Sequence, residues 1–312
     1  MQKNKRMRKL LNLLVLVAMG VTDCKSGKQT EVKCDSKLDT ALQVKIDAAL
    51  LDGMKDCLAD SGQVVVLDID NDVFVASSGF AMSGDTTEYL KVNFADESDT
   101  CGLGRLEWYL RMLERGEVKL DDKYDAGNGV LVVGNDTIVD DNWRRGGYGK
   151  IFVKTAIAHN VNTTYFRCLS KVYGKDKAID LFRREKELSV KEIAKELKDS
   201  VLMRNDEYAD CIKSAMRFFV TNGLGKYADC EGVKVAGYSN TTMIGSNNYI
   251  LDFYAYFPYD KPVYVVVVRM KKKGLPASAG GMCATVVRRI VSDISKQMRL
   301  CQKCMTWSLL FF

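Results

Sequence analysis

Residues 263–270 read Val-Tyr-Val-Val-Val-Val-Arg-Met, a nearly unbroken apolar run of strand-forming residues. A strand with one wet face alternates apolar and polar side chains, so a run without alternation implies a strand covered on both faces. Pro262 stands just ahead of it, where a missing N–H does no harm to the ladder. Two further strand-like stretches precede it, at 233–240 and 248–258. Near the start, 64–76 is two β-rich runs around Asp70-Asn71-Asp72, a hairpin signal, and 129–139 is a second, shorter one.

Helical periodicity fills the intervals. Apolar residues recur at helical spacing over 38–57, and Leu103, Leu106, Leu110 and Leu113 fall three and four apart. Gly102 and Gly104 open that second helix, and Gly116 stands where a left-handed cap is expected. Residues 80–100 read as loop, and 150–219 as mainly helical. In that region Lys191, Lys195 and Lys198, interleaved with Glu192 and Glu196, read as a solvated face. A last helix over 284–300 carries Val286, Val287, Ile290, Val291 and Ile294 on one face. The predicted fold class is α/β of the α+β type: an antiparallel sheet flanked by helices, with a helical insertion. No repeat or linker interrupts 38–300, which reads as one domain.

The formal net charge of +6 is concentrated at the start. Lys3, Lys5, Arg6, Arg8 and Lys9 against Asp23 give residues 1–23 a net +4. The remaining +2 makes no case for nucleic-acid binding. Residues 10–21 are apolar but too few to span a bilayer, which takes about 20. They fit the core of a secretory signal. Cys24 follows as the cysteine of a lipoprotein would, although Asp23 sits where a small residue is usual. A lipidated cysteine, an uncleaved anchor, an ordinary cleaved signal and a cytosolic chain with an apolar first helix all stay open. The layout is therefore a leader or anchor over 1–24, a polar tether over 25–37, the domain over 38–300 and a tail over 301–312. Of ten cysteines, Cys301 and Cys304 have metal or redox spacing, but no second Cys or His pair accompanies them. No metal or cofactor is expected.

Several stretches together carry a resemblance. They are "LERGEVKLDDKYDAGNGVLVVGNDTIVDDNW" after the 103–113 helix, "GGYGKIFVKTAIAHNVNTTYF" next, and "YAYFPYDKPVYVVVVRM" near the end. Their order and spacing resemble the transpeptidase domain of class B penicillin-binding proteins, over about residues 38–300. The resemblance implies the serine penicillin-recognising fold and a groove built from three motifs. It is carried by framework residues rather than by catalytic ones. Where the family has Ser-x-x-Lys, nucleophile and base one helical turn apart, this chain has Leu103 and Leu106. Ser-x-x-Lys occurs nowhere in the chain. Cys101 lies nearby without an adjacent base, and a buried structural cysteine is the simpler reading. Where the family has Ser-x-Asn, the chain has Asn160-Val161-Asn162, so the asparagine matches at Asn162 and the serine is absent. His159, the one histidine, precedes it without an identifiable triad partner. Where the family has Lys-Thr-Gly, the chain has Tyr238-Ser239-Asn240, which removes a cation and adds a side chain in place of glycine.

The resemblance thus implies a pseudoenzyme of the cell envelope, on the periplasmic side. It would be held to the membrane by its N-terminal lipid or anchor and bind a cell-wall synthesis protein or a peptidoglycan peptide. Leucines at 103 and 106 make the expected groove floor apolar, which suits a protein contact. Two alternatives remain open: a D,D-transpeptidase or carboxypeptidase with an unrecognised nucleophile, and a structural lipoprotein with a decayed site.

Overall fold

The computed structural model describes residues 37–310 apart from 85–87, 94–96, 101–102 and 184–186. The leader, Cys24, the tether up to residue 36, Cys101 and Gly102 lie outside the described residues. The chain opens with α1 (Lys37–Cys57), then β1 (Ser61–Asp68), β2 (Val73–Met82), β3 (Tyr89–Lys91) and β4 (Asp99–Thr100). Next come α2 (Arg105–Glu114), β5 (Lys123–Asp125), β6 (Val130–Val133), β7 (Asp136–Val139) and β8 (Lys150–Phe152). The helical section holds α3 (Val153–Ala158), α4 (Asn162–Tyr173), α5 (Lys175–Arg183), β9 (Glu187–Leu188), α6 (Val190–Leu197) and α7 (Glu207–Asn222). The chain then returns to the sheet through β10 (Ala236–Ile244), β11 (Asn248–Phe257) and β12 (Tyr264–Lys273), and α8 (Met282–Leu310) follows.

The main sheet is antiparallel with strand order β10-β11-β12-β1-β2-β3. Val265, Val266, Val267 and Val268 of β12 are all fully buried, each worth about 1.5–3 kcal/mol of apolar transfer. Their burial on both sides is what the unbroken valine run requires. Helices α1 and α8 pack together on one face. A methyl group at Gly53 of α1 would sit 2.2 Å from Val286 Cγ2 of α8, so the glycine sets that close approach. Helix α6 lies across β1 and β12, and α7 against β10. Both α6 and α7 begin with a side-chain cap. Ser189 and Glu192 form a reciprocal capping box for α6, and Asp206 accepts from the N–H groups of Tyr208 and Ala209 for α7.

The fold class is as predicted, and the differences are local. Residues 80–100 hold the end of β2 and two short strands rather than loop alone. Segments of two or three residues carry no readable alternation. The last helix continues past residue 300 to Leu310. Lys191 and Lys195 are not simply solvated, because both ammonium groups lie over the Phe74 ring, 5.8 and 5.9 Å from its centre. Lys198 forms an ion pair with Asp72 in the β1–β2 turn.

One buried ion pair ties the sheet to the strands leading toward α2. Arg269 of β12 grips its cross-strand partner Asp252 of β11 with two hydrogen bonds, 2.8 and 2.9 Å, and neither residue is exposed. Its remaining nitrogen donates to the Leu188 carbonyl at 2.8 Å and lies 3.5 Å from Asp99. Because Leu188 and Asp99 pair across β9 and β4, one guanidinium holds the small two-stranded sheet onto the large one.

Candidate functional site

Three chain segments converge beside the β10 edge. The first is the loop into α2. Leu103 lies just outside the helix, and its carbonyl accepts from the Leu106 N–H at 2.9 Å and the Tyr254 hydroxyl at 3.4 Å. The expected left-handed residue after α2 is present at Gly116, φ 68°. Leu103 and Leu106 are each only 1% exposed. Both side chains are therefore part of the hydrophobic core and not open to a ligand.

The second segment is the α3–α4 turn. Asn160 has φ 55°, the left-handed conformation that asparagine tolerates better than most residues. Its N–H bonds to the Ile157 carbonyl at 3.1 Å, and the Val161 N–H reaches the Ala156 carbonyl at 2.9 Å. That pair is a Schellman helix stop with asparagine in the glycine position. The geometry ends α3 and frees the Asn160 side chain to turn toward β10. The following helix is capped from a distance: buried Asp140, after β7, accepts from the Thr163 N–H at 2.9 Å and the Thr163 hydroxyl at 2.7 Å.

The third segment is β10. Asn160 Nδ2 donates to the Ser239 carbonyl at 2.9 Å, and the Tyr238 hydroxyl donates to Asn160 Oδ1. Arg105, the first residue of α2, donates from Nη1 to the Asn160 carbonyl at 3.2 Å and to Oδ1 at 3.4 Å. The guanidinium rests on the rings of Tyr165 and Phe182, 5.2 and 5.8 Å from their centres. Tyr238 sits among Phe219 and Tyr254, with ring centres 4.9 and 6.0 Å away. Burial pushes the Tyr238 phenol up to about 12, so it stays protonated and acts as a donor.

Residues 103, 160, 238 and 239 are thus brought together, with Asn160 as the hub. Asn162 is not part of the hub, since its amide donates to the Val139 carbonyl of β7. Asn240 follows on the strand, half-buried. His159 is the C-cap residue of α3, its ring is 5.7 Å from that of Tyr148 at a tilt of 37°, and burial lowers its pKa. Arg105 is the residue that motif reading misses. It stands between the two leucines and brings a cation to Asn160. Among the described residues no group of three His, Cys, Asp or Glu side chains is placed to hold a metal ion.

Truncating the Tyr238 hydroxyl tests the hub. Tyr238→Phe is expected to cost about 1–2 kcal/mol, since Asn160 Oδ1 loses its nearest donor inside the protein. Urea denaturation reads this as a lower midpoint at unchanged slope, and an unchanged midpoint would show the hydroxyl to be idle.

Comparison with solved structures decides the fold. A peptidoglycan glycosyltransferase from Burkholderia ambifaria superposes with a TM-score of 0.67 at 16% identity, covering 84% of this chain and 96% of that one. The transpeptidase domain of Burkholderia pseudomallei penicillin-binding protein 3 superposes with a TM-score of 0.65 at 15% identity, covering 88% and 98%. The fold is that of a penicillin-binding transpeptidase domain. No protein-family model matches the sequence, and no curated protein matches it. The penicillin-binding transpeptidase fold is therefore present on a sequence with leucines at the two positions that the resemblance aligns with nucleophile and base. An aliphatic side chain offers neither a lone pair for attack nor a site for a proton.

Proposed function

We propose that this chain is a non-catalytic protein of the cell envelope that uses a penicillin-binding transpeptidase fold to bind a protein of cell-wall synthesis. The observation that carries the reading is the closed hub over buried leucines. Arg105, Asn160 and Tyr238 are hydrogen-bonded to one another, and Leu103 and Leu106 are buried. Site positions that are buried or bonded to one another favour a protein partner over a peptidoglycan peptide. The fold shared with a peptidoglycan glycosyltransferase and a penicillin-binding protein supports a place in the envelope. The basic, apolar leader supports export and membrane attachment, through Cys24 or as an anchor. Among the described residues no helix is long and apolar enough to cross a membrane, so attachment rests on the leader.

The test is acylation. Incubation with fluorescent penicillin is expected to leave no label that survives denaturing electrophoresis and no adduct in the intact mass. A stoichiometric adduct would overturn the non-catalytic reading and identify the nucleophile.

A further inference from the structure

The β6–β7 hairpin has one face in the core and one in solvent. Val133 and Ile138 on the inner face are buried. The pairing Val130↔Val139 and Val132↔Thr137 puts three valines on the outer face. Val132 is 68% exposed, and Val139 is exposed beside it. An outer hairpin face normally carries polar side chains, so apolar residues here call for cover. The Val139 carbonyl is held by Asn162, which fixes the hairpin to the turn that bears Asn160.

The chain leaving this hairpin adds aromatic and cationic groups. Trp143 is 45% exposed, with the Arg144 guanidinium 5.2 Å from its ring centre. Residues 143–150 include Arg144, Arg145 and Lys150, all exposed, and no acid. Among the described residues none of the three makes an ion pair, and the nearby Asp141 carboxylate accepts from the Tyr148 hydroxyl at 2.9 Å. Exposed tryptophan and arginine beside an apolar patch is the composition of protein-interface hot spots.

We propose that the outer face of this hairpin, with Trp143, Arg144 and Arg145 at its base, docks an acidic-apolar segment of a partner protein. The valines and the indole cover the partner's apolar side chains, and the unpaired guanidiniums meet its carboxylates. The surface goes beyond the closed cleft, and it rests on reading the chain as a binding protein.

The probe is a pair of synthetic dodecapeptides with identical leucine and valine positions, one carrying glutamates between them and the other lysines. Binding to the full chain is followed by fluorescence anisotropy at two salt concentrations. The glutamate peptide is expected to bind at least tenfold more tightly than the lysine peptide, and less so at high salt. Val132→Asp is expected to weaken it at least tenfold. The double substitution Arg144→Glu with Arg145→Glu is expected to reverse the preference. All three positions are exposed, so the thermal midpoint should stay within a degree or two of wild type and confirm folding. Equal binding of both peptides, or wild-type affinity in the variants, overturns the proposal. So does binding of phosphatidylglycerol vesicles without the glutamate peptide, which makes the surface a membrane contact. Self-association abolished by Val132→Asp with no peptide bound also overturns it, assigning the face to a second copy of the chain. Peptide binding by a chain that penicillin acylates would keep this surface while overturning the non-catalytic reading.

Discussion

Replacing Arg269 by methionine is expected to destabilise the protein by about 3–5 kcal/mol, the cost of leaving a buried charge without its partner. Asp252 has no exposure, and both of its oxygens are held by this one guanidinium. The substitution also frees the Leu188 carbonyl and leaves Asp99 with Lys271, 2.9 Å away, as its remaining cation. Denaturant unfolding should therefore show a much lower midpoint. Amides of β4 and β9 should exchange faster than those of β11 and β12. A second variant, Arg269→Met with Asp252→Leu, removes the stranded charge as well, and most of the loss is expected to return. If the single and double variants are equally unstable, the ion pair is not the source of the loss.

The second large effect is expected from placing a lysine where the resemblance aligns the base. Leu106→Lys places an ammonium on a helix face where Leu106, Tyr109, Leu110 and Leu113 are all buried. A fully buried lysine loses up to about 3–5 units from its unfolded pKa near 10.4, and each unit is worth about 1.4 kcal/mol. The variant should lose roughly 4 kcal/mol or more at neutral pH. The folded-state pKa lies below the unfolded one, so the unfolded chain binds more protons between the two values. Stability must then rise with pH through that window. The deficit should shrink steadily from pH 7 toward pH 10, and a pH-independent deficit would mean that packing rather than charge is responsible. Adding Leu103→Ser should not bring acylation by penicillin, because position 103 is buried and Arg105, Asn160 and Tyr238 stay bonded to one another.

The main sheet was legible because its strands are long and their neighbours leave chemical marks. Four consecutive buried valines in β12 admit few alternatives, and Asp70-Asn71-Asp72 between two β-rich runs could hardly be anything but a turn. Strands β3, β4 and β9 were not legible, since two or three residues paired to a distant partner have no local pattern. The three site segments could be placed from spacing, yet the contacts among them could not. Arg105 falls on the less apolar side of α2, where periodicity says only "surface". Its turn toward Asn160 depends on where α4 and α5 put Tyr165 and Phe182. Asn160 was readable as a motif position, but its part in ending α3 needs the backbone angle. The covering of Leu103 likewise follows from Tyr254, some 150 residues further along the chain.

The pairing of β1 with β12 has a kinetic consequence. The middle of the sheet is made by a strand near the beginning of the domain and one near its end, so the core cannot close until almost the whole domain has been synthesised. Loop-closure entropy for so remote a contact has to be met before any of its burial is gained, which makes folding slow. Until then the valine runs stay exposed, and the unfinished domain is open to aggregation.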